Sequence, residues 1–157
     1  MCADYKQVTA IDAGYRNFAW CTLDNVQGVL QHEVVDLWAP QANRRRHPAR
    51  NDLVEITRNW CLAHKQLLDD SDYIVLENQI RAPYICMNTV IQALYFDKVE
   101  VVHPMTVGAY WHLPTKREHK KAAGVATVLR HGVHLPPGKQ DDLADAWLMA
   151  QWRLNVG

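Results

Sequence analysis

The sequence predicts an α/β fold in which helices flank a mixed β-sheet. The chain starts with three short apolar segments joined by brief polar turns, which is the pattern of an antiparallel meander. Two further apolar runs then alternate with stretches of helical periodicity, which indicates strands and helices in alternation. The chain has 157 residues, of which 48% are hydrophobic and 22% charged, so we expect residues 1–157 to form one domain.

The first three strands form the predicted meander. VTAIDAG at 8–14 is a short apolar run ended by Asp and Gly, typical of a buried strand that reaches a turn. NFAWCTLD at 17–24 alternates its side chains between two faces. A turn rich in Asp, Asn and Gly over 24–28 then leads to the third strand, VLQHEVVDLW at 29–38.

Helices and strands alternate in the rest of the chain. After a polar, arginine-rich loop, apolar residues recur from Arg50 to Leu67 at spacings of three and four, which is one face of an amphipathic helix. The elements predicted after it are a strand at 72–78, a helix after Pro83, a strand at 99–104, a helix at 115–130 and a C-terminal helix that starts near Asp141.

Composition excludes several classes of protein. No apolar run approaches the length needed to cross a bilayer, and the N-terminal residues lack the basic start and apolar stretch of a secretory signal. Four scattered cysteines have no metal-binding spacing, which favours free thiols in a reducing, intracellular compartment. A glycine-rich phosphate loop is also missing. We therefore expect neither a membrane nor a nucleotide cofactor among the partners.

The net charge is zero, but basic residues gather in two runs. RRRHPAR at 44–50 and KREHKK at 116–121 each carry four Lys or Arg side chains. Either run alone is as consistent with a solvated loop or helix face as with a phosphate contact. Two such runs around a set of acids favour contact with a phosphate backbone. The predicted DNA contacts in these runs are Arg44, Arg45, Arg46, Arg50, Lys116, Arg117, Lys120 and Lys121.

Four carboxylates stand where burial makes a charge costly. Asp12 and Glu77 each end an apolar strand, and Asp142 and Asp145 lie three apart in the first turns of the last helix. Taken singly, each has a structural explanation: a turn cap, a pair with Arg81 or a satisfied helix start. If the first and fourth strands are neighbours, however, the four acids converge, and oxygen-only ligands suit Mg²⁺ or Mn²⁺.

Three segments carry a resemblance to a known family. IDAGYRNFAW at 11–20, IVLENQIRA at 74–82 and KQDDLADAWLMAQ at 139–151 resemble the three active-site motifs of RuvC-type Holliday junction resolvases, in the RNase H-like superfamily. The similarity is greatest to the branch of poxvirus, other viral and fungal mitochondrial enzymes, and it extends from about residue 8 to 153. It implies an RNase H-like five-stranded sheet with three antiparallel strands followed by two parallel ones.

The resemblance also implies an activity and a set of residues. The activity is Mg²⁺-dependent cleavage by a homodimer that nicks two opposing strands of a four-way DNA junction, with two ions per site and Mn²⁺ able to substitute. Asp12, Glu77, Asp142 and Asp145 match the catalytic and metal-binding acids, and Lys139 matches a basic residue expected to contact phosphate. There are two departures from the pattern: Asp141 could replace Asp142 as a ligand, and Ile80 stands where bacterial members can carry a base-stacking aromatic.

Other functions compatible with the residues stay open. The alternatives are an RNase H-like nuclease for other branched DNA or RNA–DNA hybrids, and a catalytically inactive junction-binding scaffold. An actin-like ATPase shares the DxGxxN opening but needs two lobes and a far longer chain. The fungal enzymes' extra N-terminal segment has no counterpart here, so we expect a viral-type enzyme of the host cytoplasm or virion rather than a mitochondrial one.

Overall fold

The structure is a computed structural model that describes residues 4–39 and 47–157. Its strands are β1 (Gln7–Asp12), β2 (Phe18–Asp24), β3 (Gly28–Val35), β4 (Tyr73–Glu77) and β5 (Val99–Val102). Its helices are α1 (Arg50–Ala63), α2 (Lys65–Asp70), α3 (Ala82–Leu94), α4 (Pro104–Tyr110), α5 (Arg117–Arg130) and α6 (Gln140–Asn155). No helix in these two stretches is both long and apolar enough to span a bilayer.

The five strands form one mixed sheet in the order β3-β2-β1-β4-β5. β1, β2 and β3 pair antiparallel because short turns join them, whereas β4 and β5 are parallel to β1 because helical connections carry the chain back to the same end. The predicted sheet, with three antiparallel strands followed by two parallel ones, is therefore confirmed. β1 and β4 are direct neighbours, as the convergence of the acids requires.

Helices cover both faces of the sheet, and alternate strand residues point into two separate cores. Ala10 of β1 and Cys21 of β2 face α6, whereas Ile11 and Phe18 face α1 and α3. All seven residues of β2 are buried, since this strand has a packed layer on each side. The two layers hold the ends of β1 and β4 in a rigid frame, which fixes the position of the residues that end those strands.

Two short helices and one strand end differ from the sequence prediction. The apolar stripe from Arg50 to Leu67 is divided between α1 and α2, because the backbone leaves the helical conformation at His64. Pro104 ends β5 as expected but also starts α4, where a proline suits the first helical position and the His103 ring accepts a hydrogen bond from the Met105 amide at 3.1 Å. β3 ends at Val35 because the next residue, an aspartate, accepts hydrogen bonds from two following amides.

Candidate active site

The four predicted acids lie at one edge of the sheet. Asp12 is the last residue of β1 and Glu77 the last of β4, and the parallel register that pairs Ile11 with Leu76 puts the two acids side by side. α6 packs across β1 and β2 and starts at the same edge, with Asp142 and Asp145 in its first turns. Each acid therefore owes its place to a local pattern: a buried strand that ends on a carboxylate, or a helix that starts with acids.

Burial and mutual repulsion raise the pKa of all four carboxyl groups. Burial raises the pKa of Asp12 to about 6, and the charge of Asp142 adds to the effect. Burial raises the pKa of Glu77 to about 8 and that of Asp145 to about 7, and in both cases the neighbouring Asp12 is the next cause. The pKa of Asp142 is also raised, first by burial and then by Asp141. The fold thus brings together a set of anions that repel one another.

Two cavities open onto this cluster. Asp12 and Asp142 line a polar cleft beside the Asp12–Asn17 turn, and three arginines also line it: Arg16, Arg81 and Arg117. Glu77 and Asp145 line a smaller, mostly apolar cavity with Lys120. The carboxylates are therefore reachable from outside, with guanidinium groups around the wider opening that suit an approaching phosphate.

Lys120 places a positively charged side chain next to two of the four acids. Its charge lowers the pKa of both Glu77 and Asp145, against the dominant effect of their burial. The side chain lies against α4 at Gly108, where a Cβ atom would stand only 3.4 Å from the lysine Cε and 3.5 Å from its Nζ. A glycine in α4 therefore leaves the space in which the aliphatic part of Lys120 reaches the acids.

The structure separates the roles of Asp141 and Asp142, which the sequence left open. Lys121 donates a hydrogen bond from Nζ to Asp141 Oδ2 at 2.7 Å, and this bond lowers the pKa of Asp141. Asp141 lines a groove on the outer side of α5, whereas Asp142 lines the polar cleft together with Asp12. The geometry favours Asp142 over Asp141 as the residue that acts with Asp12.

The basic residues predicted to contact DNA are distributed unevenly around the site. Arg117 lines the cleft, and Lys139 immediately precedes α6 near Asp142. Lys116 precedes α5 and is exposed, and Arg50 starts α1 outside the cleft lining. The remaining predicted contacts, Arg44, Arg45 and Arg46, lie outside the described residues.

Sequence reasoning missed three side chains of the cleft. Gln79 donates a hydrogen bond from Nε2 to Asp12 Oδ1 at 3.1 Å. Arg81 and Arg16 line the cleft, and Arg16 also pairs with Asp36 at 3.6 Å. The motif at 74–82 contains Gln79 and Arg81, so both residues were available as candidates. The sequence does not indicate, however, in which direction their side chains point.

The donor set fits a hard divalent cation. All four acids offer oxygen ligands, their charges repel in the absence of a cation, and no thiolate or imidazole intervenes to favour a softer metal. Among residues 4–39 and 47–157, no group of three or more His, Cys, Asp or Glu side chains has the arrangement of a metal site. The cluster therefore offers the oxygen donors that a hard divalent cation prefers.

Solved structures with a similar architecture include Holliday junction resolvases. The yeast mitochondrial Holliday junction resolvase Ydc2 matches with a TM-score of 0.67 and 15% identity, over 92% of this chain and 77% of that one. The fowlpox virus resolvase in complex with Holliday junction DNA matches with a TM-score of 0.60 and 17% identity, over 96% of this chain and 97% of that one. Thermus thermophilus RuvC matches with a TM-score of 0.62 and 16% identity, over 96% of each chain.

The fold is that of the RuvC-type resolvases. The RNase H-like architecture implied by the sequence resemblance is therefore confirmed. A scan against protein-family models gives no match, and a search of curated protein sequences gives no significant one. The shared property is thus three-dimensional: similar sheets and helices are built from sequences that differ at more than four positions in five.

Proposed function

We propose that this protein is a Mg²⁺-dependent Holliday junction resolvase, an endonuclease that nicks opposed strands of a four-way DNA junction. The observation that carries the proposal is the meeting of Asp12, Glu77, Asp142 and Asp145 at one sheet edge. Burying four mutually repelling carboxylates costs stability, and a cation-dependent activity accounts for keeping them. The RuvC-type fold supports the same reaction, since its solved neighbours include a resolvase bound to junction DNA.

The acids of the cluster and the arginines of the polar cleft would have different roles in phosphodiester hydrolysis. We assign Asp12, Glu77, Asp142 and Asp145 to hold two divalent cations, which when bound would activate a water molecule and stabilise the leaving oxygen. Arg117 and Arg81 line the polar cleft beside Asp12 and Asp142 and would orient the scissile phosphate through charge-assisted hydrogen bonds. Because such contacts read the backbone and not the bases, the shape of the junction would guide binding.

Paired nicks require two active sites, and the exposed face of α3 offers a surface for a second copy of the chain. Ile85 of α3 is 45% exposed, Phe96 in the turn just after the helix is 83% exposed, and the exposed Thr89 and Ala93 lie between them in sequence. The small residues at the centre allow two helices to approach closely, and the apolar ends supply area to bury. A two-fold dimer through this stripe would repeat one set of contacts on both subunits.

The proposal is tested by offering labelled substrates with Mg²⁺. We expect symmetrical cleavage of a mobile four-way junction, much slower cleavage of linear duplex, single strands and RNA–DNA hybrid, and no cleavage in chelator. Asp12→Asn should reduce junction cleavage by at least about 10³-fold with little change in junction binding, because it removes a cation ligand without touching the basic contacts.

The alternatives give distinct results in this assay. Binding of junctions with equal affinity in Mg²⁺ and chelator, without any nick, would identify a scaffold. Preferred cleavage of the hybrid would identify a nuclease of another specificity. Wild-type rates in the Asp12→Asn variant would remove Asp12 from the site. Asp70→Asn, an exposed acid outside the cluster, is the control and should cleave at the wild-type rate.

A further inference from the structure

Gln79 makes a direct contact with the first acid of the cluster. Its side-chain amide donates a hydrogen bond to Asp12 Oδ1 at 3.1 Å, across 67 residues of sequence. Asp12 and Gln79 both line the polar cleft. Within the described part of the chain, this is the one side-chain hydrogen bond that the Asp12 carboxylate receives. The contact therefore controls how that carboxylate is turned.

The backbone that carries Gln79 is itself anchored. The Asn78 amide donates to the Val102 carbonyl at 2.8 Å, and the buried Asn88 side chain donates to the Glu77 carbonyl at 2.9 Å. These bonds tie the end of β4 to β5 on one side and to α3 on the other. Gln79 thus reaches Asp12 from a fixed origin, and the hydrogen bond joins the strand ends that carry two of the four acids.

The chemistry of the donor suits a carboxylate that must also bind a cation. A primary amide is neutral, so it does not compete with a divalent ion as a lysine or arginine in the same place would. It engages Oδ1 and leaves Oδ2 free of any hydrogen bond from the described residues. Residues that hydrogen-bond to a metal ligand without touching the metal orient that ligand. Their loss typically weakens metal affinity about 10–100-fold.

We propose that Gln79 is a positioning residue that holds the Asp12 carboxylate with Oδ2 presented to the cation. The proposal rests on the Mg²⁺-dependent function proposed above. It adds a residue that sets cation affinity without being a ligand, through the hydrogen bond from its Nε2 to Asp12 Oδ1. Substitution of Gln79 is expected to leave the affinity for junction DNA unchanged, because the Gln79 amide is already hydrogen-bonded to Asp12.

The test removes the donor and measures cation binding without cleavage. Gln79→Met keeps the length of the side chain but cannot donate, and Gln79→Ala removes the donor together with the bulk. Gln66→Met is a matched control, because Gln66 makes the same kind of bond, from Nε2 to Asp70 Oδ1 at 2.9 Å, on the exposed surface of α2. Mg²⁺ titration by calorimetry and the Mg²⁺-induced rise of the melting temperature provide the readouts.

We expect both Gln79 variants to bind Mg²⁺ about 10-fold or more weakly than the wild type, while Gln66→Met binds as the wild type does. Junction cleavage should shift to higher Mg²⁺ concentrations by the same factor and recover most of its rate at saturation. Junction binding in chelator should not change. Recovery at saturating Mg²⁺ separates a positioning role from a general loss of structure.

Each other outcome is decisive. Wild-type Mg²⁺ affinity in both Gln79 variants would overturn the positioning role. Wild-type binding in one Gln79 variant with weaker binding in the other would overturn it as well, since both variants lack the donor and the size of the new side chain would then be responsible. Failure of the wild-type protein itself to bind Mg²⁺ or cleave junctions would count against the proposed function, and is thereby distinguished from failure at Gln79.

Discussion

Burial makes the ionised forms of Glu77 and Asp145 costly for the stability of the fold unless a cation is present. The folded protein keeps protons on Glu77 up to a pKa of about 8 and on Asp145 up to about 7, whereas their ordinary values are 4.5 and 3.8. Between these limits the unfolded chain has released protons that the folded chain still binds. Folding stability in chelator should therefore fall as the pH rises from about 4 to about 8 and level off above that.

Asp145→Asn tests this pH dependence. Removing one charge from the cluster should reduce the loss of melting temperature between pH 5.5 and pH 8.5 by several degrees, since about 1 kcal/mol corresponds to 2–4 °C for a chain of this size. Added Mg²⁺ should raise the melting temperature of the wild type most at pH 8.5. Thermal unfolding in chelator, with the exposed Asp97→Asn as control, measures both effects. Equal pH profiles for the wild type and Asp145→Asn would contradict the assigned pKa of Asp145.

At the residue scale, the sequence predicted the acids and missed their partners. Asp12 and Glu77 could be found because a carboxylate at the end of an apolar strand conflicts with burial, which is visible in the letters. The approach of Gln79 to Asp12 and of Lys120 to Glu77 depends on side-chain direction across elements distant in sequence. Likewise, Asp141 and Asp142 are told apart by the Lys121–Asp141 bond and by the different cavities that they line.

At the scale of elements, the contact between α5 and α6 sets the place of Asp145. Gly124 of α5 is buried against α6, and a Cβ atom there would stand 3.4 Å from Leu148 Cδ1 and 4.0 Å from Asp145 Oδ1. One methyl group fits at ordinary van der Waals distance, but a larger side chain does not. The absence of a side chain at Gly124 therefore lets the helix that carries Lys120 lie close to the helix that carries Asp145.

Two substitutions at Gly124 should have opposite effects on stability. Gly124→Ala should stabilise the protein by up to about 1 kcal/mol, because alanine is the better helix former and its methyl group fits. Gly124→Leu should destabilise it by about 1–3 kcal/mol and reduce cleavage by moving α5 away from Asp145. Urea unfolding and the junction assay measure the pair. A destabilised Gly124→Ala or an unaffected Gly124→Leu would show that the two helices do not pack this closely.

The sequence predicts the type of an element where the spacing of apolar residues is regular. It does not predict a boundary where the same spacing continues across a break in a helix. β1, β4 and α6 appear where the apolar patterns put them. The division between α1 and α2 at His64 leaves the spacing of apolar residues intact, so the pattern could not reveal it. The apolar run before Pro104 predicts only a strand end there, although the same residue is a good helix start.

For the molecule as a whole, the number of active sites that an assembly brings together decides the outcome of the proposed reaction. One cluster is found in the described residues, so a subunit acting alone would nick one strand at a time. The sequence could predict a dimer only through the family resemblance, because apolar residues on α3 suit the core and an interface equally well. The structure separates them: Met87 and Ile91 are fully buried, while Ile85 and Phe96 are exposed.

Phe96→Glu should convert a dimer into monomers. A charge placed in the apolar stripe would be buried without a partner on association, which costs several kcal/mol over the two copies in a symmetric interface. Leu129→Glu is the matched control, because Leu129 is also an exposed apolar residue, at 49%, but lies on α5. Sedimentation velocity should give a monomer for Phe96→Glu and a dimer for both the wild type and Leu129→Glu.

The form of the cleavage product makes the same distinction at the level of function. On a supercoiled plasmid with an extruded cruciform, two nicks made within one complex give linear DNA, whereas a single nick relaxes the plasmid, abolishes the cruciform and leaves a nicked circle. Phe96→Glu should therefore produce nicked circles where the wild type produces linear DNA, while each retains Mg²⁺ binding at its intact acids. A Phe96→Glu variant that stays dimeric would place the subunit contact elsewhere than on this surface, and linear product from a monomeric variant would show that paired nicks do not need the dimer.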